Sequence, residues 1–233
     1  MKAAVVIFPG SNCDHDALHA CDKVMGWTTL PVWHESTSLS GADLVILPGG
    51  FSYGDYLRCG AIAGRSPVME AVKKHAGNGG LTLGICNGFQ ILIEAGLLPG
   101  ALLRNSCMEF RCRHIYLRTE TTDSPFTRSM QQREVIKVPI AHGDGNYFAT
   151  ENQLAELNEQ DRIPFRYCNE AGEITADANP NGALENIAGV LSEGRNVLGM
   201  MPHPERASES VLGSADGKKL FDSLAVAYAD VGW

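Results

Sequence analysis

The segment LTLGICNGFQILIEAG, residues 81 to 96, constrains the fold of this chain more than any other. Leu81, Leu83 and Ile85 form a short apolar run that leads directly into Cys86. Asn87 and Gly88 follow, then Phe89, Leu92 and Ile93 at helical spacing. That order predicts a strand turning sharply into a helix with a largely exposed thiol at the turn, the layout of a nucleophile elbow. Gly84 and Gly88 flank the cysteine as G-x-C-x-G, which suits a strained turn packed too closely for side chains. A thiol needs help to become a nucleophile, and the unpaired N–H groups and dipole of a helix N-terminus supply part of it.

A base must supply the rest. VLGMMPHPE, residues 197 to 205, is an apolar strand-like run ending in His203, with Glu205 two residues on and prolines at 202 and 204. Each proline biases its predecessor towards an extended conformation. In an extended segment residues i and i+2 share a side, so His203 and Glu205 can face one site, the carboxylate orienting the imidazole. H-P-E alone is a weak signal; beside the elbow it completes a Cys–His–Glu triad. Acyl transfer also needs backbone N–H donors for an oxyanion. DLVILPGGFSYGDYLRCGAIAG, residues 43 to 64, ends a buried-looking strand at Pro48-Gly49-Gly50. The expected donors are the N–H groups near Gly50 and of Asn87, the residue after the nucleophile.

These residues carry a family resemblance. G-I-C-N-G-F-Q, the P-G-G strand end and H-P-E, in this order, resemble the triad-type (class I) glutamine amidotransferases. More narrowly, FSYGDYLRCGAIA (51 to 63), LLRNSCMEFRCR (102 to 113), PIAHGDGNYF (139 to 148) and ANPNGALENIAGV (178 to 190) resemble the glutaminase subunits of phosphoribosylformylglycinamidine synthases. The resemblance spans almost the whole chain. Where that family pattern more often has glutamate, this chain has Asp144. The resemblance implies a flavodoxin-like three-layer fold and glutamine as substrate, with Gln90 helping to hold it. It also implies two partners, a large synthetase subunit that uses ATP and magnesium and a small bridging subunit.

Composition sets the remaining bounds. A chain of 233 residues suits one α/β domain, 1–233, with a sizeable core. A formal net charge of −8 argues against a nucleic-acid partner. No apolar run approaches a membrane span, and the N-terminal MKAAVVIFPG reads as a first strand rather than a signal peptide. Seven cysteines without paired spacing point to a reducing compartment, hence a cytoplasmic protein.

Strands are predicted over 3–8, 30–34, 43–48 and 81–85, and helices over 14–25, 66–76 and 216–229. Alternating β and α units imply an open, mostly parallel sheet with helices on both faces, whose sites lie at the carboxyl ends of strands. Ile115–Leu117 and Val135–Ile140 suggest further strands, antiparallel additions to the sheet, and 169–186 reads as a β-hairpin or a surface loop. Cys107 and Cys112 lack a partner pair at zinc spacing, so no metal site is expected. GSADGKK (213 to 219) lacks the phosphate-loop spacing, so this chain is expected to carry no cofactor and the ATP-using step belongs to another chain. Arg58 can pair with an α-carboxylate or a partner surface; His142 and Asp144 can lie near the site mouth or a partner interface. A free-standing cysteine hydrolase and a non-catalytic scaffold remain the alternatives, to be separated by glutaminase activity with and without the synthetase.

Overall fold

In the computed structural model, which describes residues 1–231, strands and helices alternate through the first part of the chain except that β3 follows β2 directly. They are β1 (Lys2–Ile7), α1 (Asp14–His19), β2 (Thr28–Trp33), β3 (Leu44–Leu47), α2 (Val68–Gly77), β4 (Leu81–Ile85) and α3 (Asn87–Glu94). The helix predicted over 14–25 changes pitch midway, α1 running into a π-helical turn at Ala20–Val24. β1, β3 and β4 are near-continuous apolar runs because each is covered on both faces. β2 carries Pro31 and pairs on one side only, with β1, as a proline-bearing strand must.

The remaining elements are β5 (Ala101–Leu103), β6 (Arg111–Thr119), β7 (Val135–His142), β8 (Asn146–Phe148), α4 (Glu151–Glu159), β9 (Phe165–Cys168), β10 (Ile187–Leu191), β11 (Val197–Met200) and α5 (Lys218–Val231). One nine-stranded sheet has the order β2-β1-β3-β4-β11-β10-β9-β6-β7. Neighbours from β2 to β11 are parallel. From β11 to β7 every pair is antiparallel, so the strands predicted in the middle of the chain form a wing on a parallel body. β5 and β8 pair separately. Residues 232 and 233, the end of the span expected to form one domain, lie outside the described residues.

α4 escaped the sequence reading although its start signal is present. The Thr150 side chain accepts from the Gln153 N–H and the Gln153 side chain accepts from the Thr150 N–H, a capping box. Leu157 is its one buried residue, too thin an apolar stripe to register as periodicity. Residues 169–186 form a loop without strands, and it is not confined to the surface: Asn181 and Asn186 are buried.

Parallel register aligns the strand ends that matter. Met200 of β11 lies beside Ile85 of β4, and Leu47 of β3 beside Gly84. The residues just beyond them, Pro48-Gly49-Gly50, Cys86 and His203, therefore converge at the carboxyl edge of the parallel body.

Candidate active site

Cys86 sits between β4 and α3 with φ 52° and ψ −106°, a strained conformation for a residue with a side chain. Its N–H donates to the Met200 carbonyl at 2.8 Å, and its own carbonyl accepts from Phe89 and Gln90 N–H groups, opening α3. A side chain at Gly88 would collide with the Leu47 carbonyl, and one at Gly84 with Leu92 and the Gly88 backbone. The thiol is not the largely exposed group expected of the elbow: the residue is only 5% exposed, walled in by neighbouring strand ends. Its Sγ lies 3.6 Å from the Ala141 carbonyl.

His203 and Glu205 are 1% and 2% exposed, and His203 Nδ1 lies 2.6 Å from Glu205 Oε1. They share a side, but not through an extended segment as predicted. Pro204 instead opens a short 3-10 turn, Pro204–Ala207, because proline's fixed φ also fits the first position of a helix. The His203 N–H donates to the Pro139 carbonyl at 2.9 Å, tying the turn to β7. His203 Nε2 bonds to no nitrogen or oxygen; the thiols of Cys86 and Cys13 are its neighbours. Burial alone would lower the imidazole pKa. The charge of Glu205, then the Cys86 sulfur and hydrogen bonding with Cys13, outweigh burial and hold it well above the ordinary value.

Gly49 is the contact point of this cluster. A Cβ there would lie 2.7 Å from His203 Cε1, 3.0 Å from Cys13 Sγ and 3.4 Å from Cys86 Cβ. The sequence reading includes Gly49 only as part of the Pro48-Gly49-Gly50 strand end and passes over Cys13, although both follow strands that end at this edge. The Cys13 N–H donates to the Gly49 carbonyl at 3.2 Å, and burial pushes its thiol pKa up.

Cys86 opens into a cavity of about 200 Å³, lined also by Gly50, Gln90, Arg104, His142 and Asp144. It continues into an outer chamber of about 370 Å³ that shares Asp55, Cys59, Gln90, Arg104 and Asp144. A larger cavity of about 680 Å³, lined by Lys73, Glu156, Arg162 and Asn196, contains none of these groups. Gly50 has φ +146°, and a Cβ there would meet the Ser11–Asn12 backbone at 2.8 Å. Among the described residues neither the Gly50 nor the Asn87 N–H donates to a backbone carbonyl. The Asn87 side chain joins the elbow to the loop after β3: its Oδ1 accepts from the Ser52 N–H at 3.1 Å, and its Nδ2 donates to Gln90 Oε1 at 2.8 Å. Gln90 Nε2 in turn donates to the Asp144 carbonyl at 2.8 Å.

The other residues singled out from the sequence lie around the same two chambers. Arg58 is largely exposed at the outer chamber, where its Nε and Nη2 donate to the two carboxylate oxygens of Glu94, each at 2.6 Å. His142 lines the cavity that Cys86 opens into and is 3% exposed; its Nε2 lies 3.1 Å from Asn181 Nδ2, and burial followed by repulsion from His203 lowers its pKa to about 3. Asp144 is half-buried in the cavity wall. The loop holding these residues is pinned by two buried asparagines that the sequence reading passed over. Asn105 Nδ2 donates to the His142 carbonyl at 2.9 Å, and Asn181 Nδ2 donates to the Gly145 carbonyl at 2.7 Å.

Comparison with known proteins agrees with this geometry. Residues 1–223 match the CobB/CobQ-like glutamine amidotransferase domain family. A phosphoribosylformylglycinamidine synthase subunit PurQ from Koribacter versatilis is 58% identical over 229 residues, covering 98% of this chain and 99% of the relative. One from Methanosarcina acetivorans is 56% identical over 225 residues, covering 97% of each. Among solved structures, PurLQS from Thermotoga maritima superposes with a TM-score of 0.86 at 45% identity, covering 97% of this chain and 98% of that one. The chain belongs to the CobB/CobQ-like glutamine amidotransferase family, within its group of phosphoribosylformylglycinamidine synthase PurQ subunits.

Proposed function

We propose that the whole chain, 1–233, acts as one glutamine amidotransferase domain in which Cys86, His203 and Glu205 form the catalytic triad. The chain is the glutaminase subunit of phosphoribosylformylglycinamidine synthase, an enzyme of purine biosynthesis. One observation carries the residue assignment. A strained cysteine at a helix N-terminus lies beside a buried histidine whose Nδ1 is 2.6 Å from a buried glutamate. Cys86 attacks the side-chain amide carbon of glutamine, and His203 takes the thiol proton and delivers one to the departing ammonia. Glu205 orients the imidazole and stabilises its charged form. The Gly50 and Asn87 N–H groups hold the oxyanion. Water then hydrolyses the thioester to glutamate, and the ammonia passes to the synthetase, which makes formylglycinamidine ribonucleotide.

The partners are a large synthetase subunit and a small bridging subunit; the similarity of this chain to one chain of the PurLQS structure supports membership of such a complex. ATP and magnesium belong to the large subunit. No helix among the described residues is long and apolar enough to cross a membrane, which is compatible with a cytoplasmic complex. The test is Cys86→Ala in the reconstituted complex. Glutamine-dependent synthesis should be lost while synthesis from added ammonia persists, because the ATP chemistry lies in the partner. Retained glutamine-dependent synthesis would remove Cys86 as the nucleophile.

A further inference from the structure

Cys13 is a buried thiol that the triad does not use. It is 3% exposed and lies against the catalytic imidazole. Burial raises its pKa, while a hydrogen bond with His203 and the charges of His203 and Arg206 oppose that rise. Cys21, a second buried thiol nearby, has no such partner: burial, then the charge of Glu205, push it up to about 12. Cys13, His203 and Glu205 can each bring a ligand atom within 4.8 Å of the other two. Cys86 adds a second thiol beside the same imidazole. They meet at the bare face of Gly49, where a Cβ would lie within 3.4 Å of an atom of His203, Cys13 and Cys86.

The free nitrogen of that imidazole points to a ligand. His203 is 1% exposed, and its Nε2 bonds to no nitrogen or oxygen. Nδ1, on the other side of the ring, lies 2.6 Å from Glu205 Oε1. A metal-ligating histidine almost always donates its other ring N–H to an acceptor such as a carboxylate, which fixes the ring and raises the basicity of the free nitrogen. Two thiols and an imidazole suit zinc, a borderline-soft cation; magnesium takes oxygen ligands and is not suited to them. The cavity of about 200 Å³ that Cys86 opens into provides an entry path, and Asp55 and Asp144 in its wall favour a cation.

We infer that Cys13 Sγ, Cys86 Sγ and His203 Nε2 bind one zinc ion, with Glu205 supporting the imidazole from behind, and that this ion switches the glutaminase off. The inhibition rests on the glutaminase reading above; the binding rests on the ligand geometry alone. The ion takes the sulfur of the nucleophile and the free nitrogen of the base together, so neither attack nor proton transfer can begin. The thiols bind as thiolates and their protons pass to solvent, so a chelator reverses the binding. The ligands are distinct from Cys107 and Cys112, the pair weighed for zinc in the sequence.

The experiment titrates the full chain with cobalt(II), a spectroscopic substitute for zinc, and assays the reconstituted complex with zinc. A Cys107→Ser/Cys112→Ser background removes two accessible thiols. The chain should bind one equivalent of cobalt, with tetrahedral visible bands and a thiolate charge-transfer band, and zinc should displace it. Cys13→Ala should halve the charge-transfer intensity and weaken binding about 100-fold, roughly one ligand's share of a zinc site. Glu205→Gln should keep the intensity and weaken binding about 10- to 100-fold, as loss of an outer partner does. In the complex, zinc should abolish glutamine-dependent synthesis, spare synthesis from added ammonia, and be reversed by a zinc-selective chelator. Measured against its own uninhibited rate, Cys13→Ala should need about 100-fold more zinc; if that variant is inactive, its cobalt spectrum decides. Equal cobalt spectra and affinities with and without Cys13, or octahedral cobalt lacking thiolate charge transfer, would overturn the site. Thiolate-bound metal that leaves the glutaminase running would overturn the inhibition. A Cys86→Ala complex that still uses glutamine would instead overturn the triad reading, so the failures are distinct.

Discussion

Gly49→Ala tests the geometry of the triad through a residue that takes no part in its chemistry. The added Cβ would stand 2.7 Å from His203 Cε1. Carbon atoms pack at about 3.5–4.0 Å, so ring and backbone must separate by roughly 1 Å. The ring cannot retreat freely, because the residue is 1% exposed and its Nδ1 is held 2.6 Å from Glu205 Oε1. The Gly49 carbonyl is held by the Cys13 N–H. Gly49 does not have a positive φ, so alanine brings no backbone penalty and the effect is steric. Overpacking of this kind costs about 1–3 kcal/mol of stability, which leaves the protein folded. Displacing a catalytic group by about 1 Å costs on the order of 10²-fold in rate. Glutamine-dependent kcat should therefore fall about 100-fold in the complex, with ammonia-dependent synthesis and the unfolding transition as controls. Adding Gly49→Ala to His203→Ala should cost little more than His203→Ala alone. A folded Gly49→Ala variant within about threefold of wild type, or a fully additive double variant, would refute the reasoning.

Two further outcomes follow from local features. His142 has its pKa lowered to about 3 by burial, against about 6.5 in an unfolded chain. Its contribution to stability is whole above about pH 6.5 and is lost as pH falls towards 3, at up to about 1.4 kcal/mol per pH unit. Urea unfolding between about pH 4 and 6 should show a shallower acid loss for His142→Gln, and identical slopes would contradict a buried neutral imidazole. Thr150→Ala removes the capping box of α4 and should cost about 1 kcal/mol, read as a lower urea midpoint at unchanged m-value; an unaltered midpoint would mean that α4 contributes nothing to cooperative unfolding.

The sequence was most informative where structure is local. The strand, turn and helix around Cys86 lie within a few residues, so apolar spacing and two glycines were enough to anticipate them. The signal for α4 was equally local, a Thr150–Gln153 capping box, but it was masked because a single leucine is buried. Residues 169–186 were read correctly as polar and turn-rich. Nothing in that composition reveals that Asn181 turns inward to hold the loop carrying His142.

By itself the sequence determined the residue types at the site, the elbow that presents the thiol, and an alternating α/β pattern that puts such groups at strand ends. Those properties follow from short-range periodicity and backbone preference, which hold whatever else the chain does. Tertiary structure alone decided the strand order of the antiparallel wing, the approach of Gly49 and Cys13 to His203, and the burial of His142. It also decided that Glu94 claims Arg58 and leaves Arg104 lining the cavity. An arginine's role depends on which carboxylate reaches it first. That is set by the packing of α3 against the loop after β3, segments whose pairing no pattern within either one encodes.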